Sequence, residues 1–144
     1  MKLLVIYESR GGITKRAAEA VAKAIRAEGH EAILRPVGET GPKDLEGADA
    51  LFVGSWVEGF ILFGVRPARA ARAWLTRLPA LPGTPAGVFC TYAFHPRGTL
   101  AELRRGLEAR GANVLADHAF HRRRPEVGAE AFVHALLERV GPRE

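Results

Sequence analysis

The sequence lacks the features that would place it in a membrane, a disulfide-linked scaffold or a multi-cysteine metal site. Its 144 residues include one cysteine, Cys90, which excludes an intramolecular disulfide and a metal centre built from several cysteines. The apolar run from Leu3 to Tyr7 ends at Glu8, and later runs such as Phe60 to Phe63 are shorter still. All fall short of the ~18 apolar residues that a membrane-spanning helix needs. We therefore expect a soluble cytoplasmic protein without a membrane span.

Acidic residues are scarce in the second half of the chain. Residues 65–144 hold 13 Lys and Arg against 7 Asp and Glu, whereas residues 1–64 hold 8 against 9. The net charge of +5 therefore belongs to the second half. Hydrophobic residues make up 47% and charged residues 26%, which excludes wholesale disorder, and the length fits one domain over residues 1–144. Nucleic-acid binding is not expected, because no recognised binding module accompanies the basic residues.

Apolar runs alternate with amphipathic stretches along the chain, and this alternation predicts alternating strands and helices. The predicted strands are 2–7, 31–37, 50–54, 86–91 and 113–120, and the predicted helical segments are 13–28, 42–46, 66–78, 99–110 and 128–140. Five such units indicate an α/β fold, a three-layer doubly wound five-stranded parallel sheet. Ligands of these sheets bind where the strands end, so the segments of interest are 8–14, 54–64, 91–98 and 121–127.

The loop after the first strand has the composition of an anion site. It reads Ser9-Arg10-Gly11-Gly12-Ile13-Thr14. Glycines, hydroxyl groups and free amides at a helix start favour a phosphate, although a tight turn with Thr14 as a helix-start residue is the alternative. The segment resembles the phosphate loop of flavodoxins, whose pattern is Ser/Thr-x-Thr-Gly-x-Thr. Ser9, Gly12 and Thr14 match this pattern, and Gly11 stands in place of its central hydroxyl residue.

The resemblance extends over the whole chain and implies a flavodoxin-like fold, with strand order 2-1-3-4-5 and FMN as cofactor. It implies that the first loop holds the phosphate and that Trp56 and Tyr92 flank the flavin ring. The alternative for either aromatic residue is that it only packs in the core or at the rim. The candidate cofactor-binding residues are Ser9, Arg10, Gly11, Gly12, Ile13, Thr14, Ser55, Trp56, Val57, Gly59, Thr91, Tyr92 and His95. No side chain is assigned as an acid, a base, a nucleophile or a metal ligand, because the cofactor supplies the chemistry.

Two departures from the flavodoxin pattern bear on mechanism. The residue after Trp56 is Val57 instead of the usual glycine, whose backbone flip stabilises the one-electron-reduced flavin, and Gly59 is the alternative site for such a flip. Residues 91–101 contain no acid but contain His95 and Arg97, whose positive charge is expected to stabilise the anionic reduced flavin.

These departures shape the expected function. We expect electron or hydride transfer to a redox partner protein or a small acceptor, with two-electron reduction of a quinone-like molecule as the specific form. A partner-docking module without bound flavin is the alternative. The apolar segment from Gly59 to Gly64 is predicted to be a lid, a quinone-facing wall or a dimer contact, or else buried beneath the following helix.

Two arginine clusters allow a structural and a functional interpretation. Arg66, Arg69 and Arg72 share one face of the predicted helix 66–78, where they are either solvated or dock an acidic redox partner. The segment from His121 to Arg124 is either a solvated loop or a site for the phosphates of a nicotinamide cofactor or a nucleic acid.

Three other enzyme or regulatory classes do not fit. The Cys90 and Arg97 spacing is Cys-x6-Arg, whereas a phosphatase loop needs Cys-x5-Arg, so a buried structural thiol is expected. A response-regulator receiver needs acidic residues after the first and third strands, where this chain has only Glu8. No Gly-x-Gly-x-x-Gly motif follows a strand, which excludes a dinucleotide-binding Rossmann domain.

Overall fold

The computed structural model describes residues 1–60 and 63–140, with side chains described outside 59–65. That part of the chain forms six strands, five α-helices and one short 3-10 helix (Val37–Glu39). The strands are β1 (Lys2–Glu8), β2 (Glu31–Pro36), β3 (Ala50–Phe60), β4 (Phe63–Pro67), β5 (Pro85–Tyr92) and β6 (Asn113–His121). The helices are α1 (Ile13–Ala27), α2 (Pro42–Glu46), α3 (Arg69–Thr76), α4 (Arg97–Glu108) and α5 (Ala129–Val140). None of these helices is long and apolar enough to cross a membrane.

Five of the strands form a parallel sheet in the order β2-β1-β3-β5-β6. Counted without β4, this is the predicted order 2-1-3-4-5, so the doubly wound parallel α/β fold is confirmed. The chain order reverses between β1 and β3, and the crevice for a ligand lies at the carboxyl ends of the strands beside that point.

Apolar side chains on the two faces of the sheet form two separate cores. In β1, Leu3 and Val5 belong to the core that contains residues of α1 and α5, whereas Leu4 and Ile6 belong to the core that contains residues of α3 and α4. All four are essentially fully buried. This burial explains why a central parallel strand reads as a continuous apolar run.

The prediction that a loop begins after Gly54 was wrong. β3 continues to Phe60, and β4 pairs with it antiparallel, with Val57 opposite Pro67. Gly54 serves close packing, because a Cβ atom there would lie 2.1 Å from Cε2 of Phe89 on the neighbouring strand. Gly54, which the sequence suggests as the end of a strand, therefore lies inside the strand, where close packing requires a glycine. The predicted apolar segment 59–64 includes residues 61 and 62, which lie outside the described residues.

The helix predicted over 66–78 is shorter and begins later. Arg66 and Pro67 belong to β4, so Pro67 does not lie in the first turn of a helix, and α3 spans Arg69–Thr76. The other boundaries agree within one or two residues, as expected for helix and strand ends. For example, α4 begins at Arg97 instead of residue 99, and β6 ends at His121 instead of residue 120.

Candidate functional site

The loop between β1 and α1 turns through two left-handed glycines. Gly11 and Gly12 have φ angles of 74° and 90°, a conformation that other residues rarely adopt. Ser9 Oγ accepts a hydrogen bond from the Lys15 amide at 3.1 Å, which closes the loop over the start of α1. As the first residues of α1, Ile13 and Thr14 have no acceptor for their amides within the helix, and the N-cap residue Gly12 makes no side-chain cap hydrogen bond. These amide donors at the positive end of a 15-residue helix are suited to an anion.

A buried pair of hydroxyl groups joins this loop to the end of β5. Thr14 Oγ1 and Thr91 Oγ1 lie 2.7 Å apart, and both residues are at most 4% exposed. In such a pair one hydroxyl donates and the other accepts, so one hydroxyl hydrogen is left for another acceptor. The contact fixes the start of α1 relative to β5 and leaves a donor at the base of the loop.

The carboxyl ends of β1, β5 and β6, together with the part of β3 where its parallel pairing ends, enclose a cleft of about 460 Å³. This volume lies within the range of small-molecule sites. Its lining residues are Arg10, Gly11, Ile13, Thr14, Trp56, Val57, Thr91, Tyr92, Ala93 and Arg122. The cleft thus brings together eight of the residues predicted from the sequence. A larger surface groove between α1 and α5 lies on another part of the molecule and has none of these groups.

Aromatic side chains from two strands border the cleft. Trp56 comes from β3, and the Arg10 guanidinium carbon lies 5.5 Å from the centre of its ring, within range of a cation–π contact. Tyr92 comes from β5, and its ring meets the His121 ring edge-to-face at 5.2 Å. Both aromatic residues are partly exposed, as a surface that receives a planar ligand must be.

Five predicted site residues do not line this cleft. Ser9 and Gly12 lie in the loop and shape it. Ser55 is fully buried, donates to the Trp56 carbonyl and accepts from the Ala68 amide, both at 2.8 Å, and so has a structural role. His95 is exposed. Gly59 belongs to β3 at a position where the side-chain environment is not described.

Two lining residues were missed by the sequence reasoning. Ala93 directly follows β5, and Arg122 directly follows β6. Arg122 is held there because its amide donates to the Tyr92 carbonyl at 2.8 Å. The sequence signal was the basic segment at 121–124, but the end of β6 decides which of its arginines reaches the cleft.

Glu58 contacts the three arginines that were predicted to share a helix face, Arg66, Arg69 and Arg72. Its Oε1 lies 3.0 Å from Arg72 Nη2 and 3.4 Å from Arg66 Nη2, and its Oε2 accepts from the Arg69 amide at 3.1 Å. The amide of Arg69, followed by the charges of Arg72 and Arg66, lowers the pKa of this carboxyl. Arg66 and Arg72 are thus not merely solvated, because both bind Glu58, and docking of an acidic partner by these arginines stays a prediction. This contact ties β3 to β4 and to the start of α3, next to Val57 of the cleft.

Cys90 is a structural thiol. It is fully buried in β5, and burial, followed by the negative charge of Asp117, raises the pKa of its thiol to about 12. A thiolate nucleophile is therefore not available near neutral pH. Arg97, its candidate partner, lines a different surface depression, between α4 and β6.

The comparison with protein families decides which proteins this chain is related to. A family model described as "Flavodoxin domain" matches residues 4–104. The chain belongs to the flavodoxin domain family. This match confirms the resemblance carried by the first loop, and FMN is the cofactor of the family. In the described part of this flavodoxin domain, no group of three His, Cys, Asp or Glu side chains is placed to hold a metal ion.

Individual flavodoxins show the same relationship. A flavodoxin of Aquifex aeolicus (strain VF5) is 49% identical over 55 residues, which are 38% of this chain and only 30% of that relative's length. Oxidised flavodoxin 2 from Bacillus cereus has a TM-score of 0.79 at 20% identity, with 96% of this chain and 99% of that structure covered. Two-electron reduced Megasphaera elsdenii flavodoxin has a TM-score of 0.77 at 20% identity, with 92% and 99% covered. These two structures share the fold of this flavodoxin domain.

Proposed function

We propose that this flavodoxin domain binds FMN in the cleft and transfers electrons to a redox partner. The observation that carries the proposal is that a phosphate-type loop and two aromatic side chains border one cleft. The amides of Ile13 and Thr14, which have no acceptor within α1, lie at its start, and Trp56 and Tyr92 stand along its walls. A planar ligand with a phosphate tail needs this combination.

Each part of the cleft has a distinct role in this proposal. The left-handed glycines and the start of α1 bind the phosphate, with Thr14 adding a hydroxyl donor that Thr91 orients. Trp56 and Tyr92 flank the ring system, where large rigid aromatic surfaces gain most from stacking. Bound FMN supplies the electron-transfer chemistry, and the chain supplies binding, orientation and the local electrostatic potential.

The finer form of the proposal is two-electron transfer to a quinone-like acceptor. Val57 pairs with Pro67 in the β3–β4 ladder, and no residue other than glycine has a positive φ in the described chain. A backbone rearrangement at Val57 would have to break this pairing and place a β-branched residue in a strained conformation. The absence of carboxylates among the lining residues also favours a reduced, more negatively charged ligand.

Alanine substitutions of the two glycines that flank α1 test the binding site. Gly12 and Gly29 lie just before and just after α1, have φ angles of 90° and 86°, and have no atom within 4 Å of an added Cβ. Gly12→Ala and Gly29→Ala should therefore destabilise the fold by similar amounts, about 1–2 kcal/mol each. Only Gly12→Ala should weaken FMN binding, by about tenfold (~1.4 kcal/mol), measured by quenching of flavin fluorescence.

Riboflavin tests the contribution of the aromatic walls separately from that of the phosphate loop, because it has the flavin ring but no phosphate. FMN should bind the wild-type protein far more tightly than riboflavin, and Gly12→Ala should reduce this preference. A protein that retains neither ligand would contradict the proposal and favour a docking module without flavin. Equal affinities for FMN and riboflavin would contradict the role of the loop alone.

A further inference from the structure

The cleft of this flavodoxin domain is lined by positively charged residues and by no acidic residue. Arg10 and Arg122 are among its lining residues, and Asp and Glu are not. Of the carboxylates in nearby segments, Glu8 lines a different surface depression, and Glu58 and Glu126 bind other arginines. Glu58 binds Arg66 and Arg72, and Glu126 lies 2.5 Å from Arg16. The charge of the two lining arginines is therefore available to a ligand.

The two arginines are placed differently. The Arg10 guanidinium lies over the Trp56 ring, 5.5 Å from its centre. Arg122 is exposed, and within the described residues its side chain has no hydrogen bond or ion pair. Its amide donates to the Tyr92 carbonyl, which fixes its backbone beside the Tyr92 wall. The backbone of Arg122 is thus fixed beside the cleft, while its guanidinium group has no partner within the described residues.

The neighbouring arginines do not share this position. Arg123 donates its amide to His121 Nδ1, and Arg124 donates its amide to the His121 carbonyl. Both are exposed, and neither lines the cleft. Three consecutive arginines therefore carry the same charge, but only the first of them borders the site.

We propose that Arg122 forms an anion-recognition subsite of the cleft, which binds the reduced, anionic flavin more tightly than the oxidised flavin. The inference rests on the proposed function. When two electrons and one proton are added to an oxidised flavin, the product carries one more negative charge, and a cation beside it stabilises that product. Tighter binding of the reduced form raises the two-electron potential of the bound cofactor and makes it a weaker reductant.

The test compares Arg122→Gln with Arg123→Gln in FMN-loaded protein, with Arg122→Lys as the conservative variant. The readouts are the dissociation constant for oxidised FMN and the two-electron midpoint potential of the bound cofactor, which together with the potential of free FMN give the dissociation constant for reduced FMN. Arg122→Gln should weaken reduced binding about tenfold more than oxidised binding, which lowers the potential by ~30 mV for a two-electron couple. Arg122→Lys should recover most of this loss, and Arg123→Gln should change the ratio less than about twofold (~0.4 kcal/mol).

Ionic strength provides a second readout. Because Arg122 is exposed, the difference between wild type and Arg122→Gln should shrink as the salt concentration rises from about 0.01 M to about 1 M, where the screening length falls from ~30 Å to ~3 Å.

Two results would overturn the inference: an unchanged binding ratio in Arg122→Gln, or an equal shift in Arg123→Gln. Either result in a protein that binds FMN leaves the proposed function standing. A wild-type protein that retains no FMN would instead remove the proposed function and this inference together.

Discussion

The hydroxyl oxygens of Thr14 and Thr91 lie 2.7 Å apart and connect the first turn of α1 to the end of β5 beneath the cleft. Both side chains are buried, so each hydroxyl depends on the other for a partner. We expect Thr91→Val to lower the free energy of unfolding by about 1–3 kcal/mol, because the Thr14 hydroxyl is left buried without its partner.

A double-mutant cycle in urea measures this contact. Thr14→Val combined with Thr91→Val should cost clearly less than the sum of the single variants, because the second substitution removes a group that the first left unpaired. Additive losses would contradict a hydrogen bond between the two hydroxyls.

Gly54 and Phe89 give a second prediction, on packing between β3 and β5. A methyl group at residue 54 would lie 2.1 Å from the Phe89 ring, so Gly54→Ala should destabilise the protein by about 1–3 kcal/mol or more. Gly38→Ala is the matched control, because nothing lies within 4 Å of an added Cβ there. Thermal unfolding should show a lower Tm for the first variant and little change for the second. Equal effects would contradict the close approach.

The same glycine shows where sequence reasoning reached its limit. Gly54 followed by Ser55 has the composition of a turn, and only the contact with Phe89 reveals that the glycine serves packing inside a longer strand. β4 was missed for a related reason. Its pairing with β3 is a contact between segments, and Pro67 at its end is equally typical of a first helical turn.

The grouping of the candidate site residues at one edge of the sheet was easier to predict than the strands around them. Gly11, Gly12, Trp56 and Tyr92 lie at or near the ends of predicted strands, so the strand pattern alone brings them to one edge of the sheet. Arg122 was harder to identify, because a one-residue shift in the end of β6 decides which arginine borders the cleft. Local sequence patterns therefore predict which loops lie at the strand ends. Which side chains enter the cleft depends on the exact residue at which each strand ends.

Cys90 gives a third prediction, on thiol reactivity. Burial raises the pKa of its thiol to about 12, so a thiol-specific reagent should label the native protein slowly between neutral pH and about pH 10. In urea above the unfolding midpoint, labelling should be fast and should rise with pH around the ordinary cysteine pKa of ~8.5. Arg97→Ala serves as the control and should leave native labelling unchanged. Rapid labelling of the folded protein would contradict a structural thiol.

Glu58 gives the last prediction, on pH-dependent stability. The pKa of its carboxyl is lowered, chiefly because the Arg69 amide donates to it, with further contributions from Arg72 and Arg66. A carboxyl whose pKa is lower in the folded state stabilises the protein above its unfolded pKa, about 4.3 for Glu, and this contribution is lost as the pH falls through the folded value.

Glu58→Gln should therefore be less stable than wild type at pH 7, and the difference should vanish as the pH falls well below about 4. Urea unfolding over this pH range measures the difference, and Glu19→Gln on the exposed face of the middle of α1 is the control for loss of a carboxylate. A stability difference that persists undiminished at low pH would show that the β3–β4 contact does not depend on the Glu58 charge. Because Glu58 adjoins Val57, the same loss of charge should also loosen the Trp56 side of the cleft and weaken FMN binding as the pH falls.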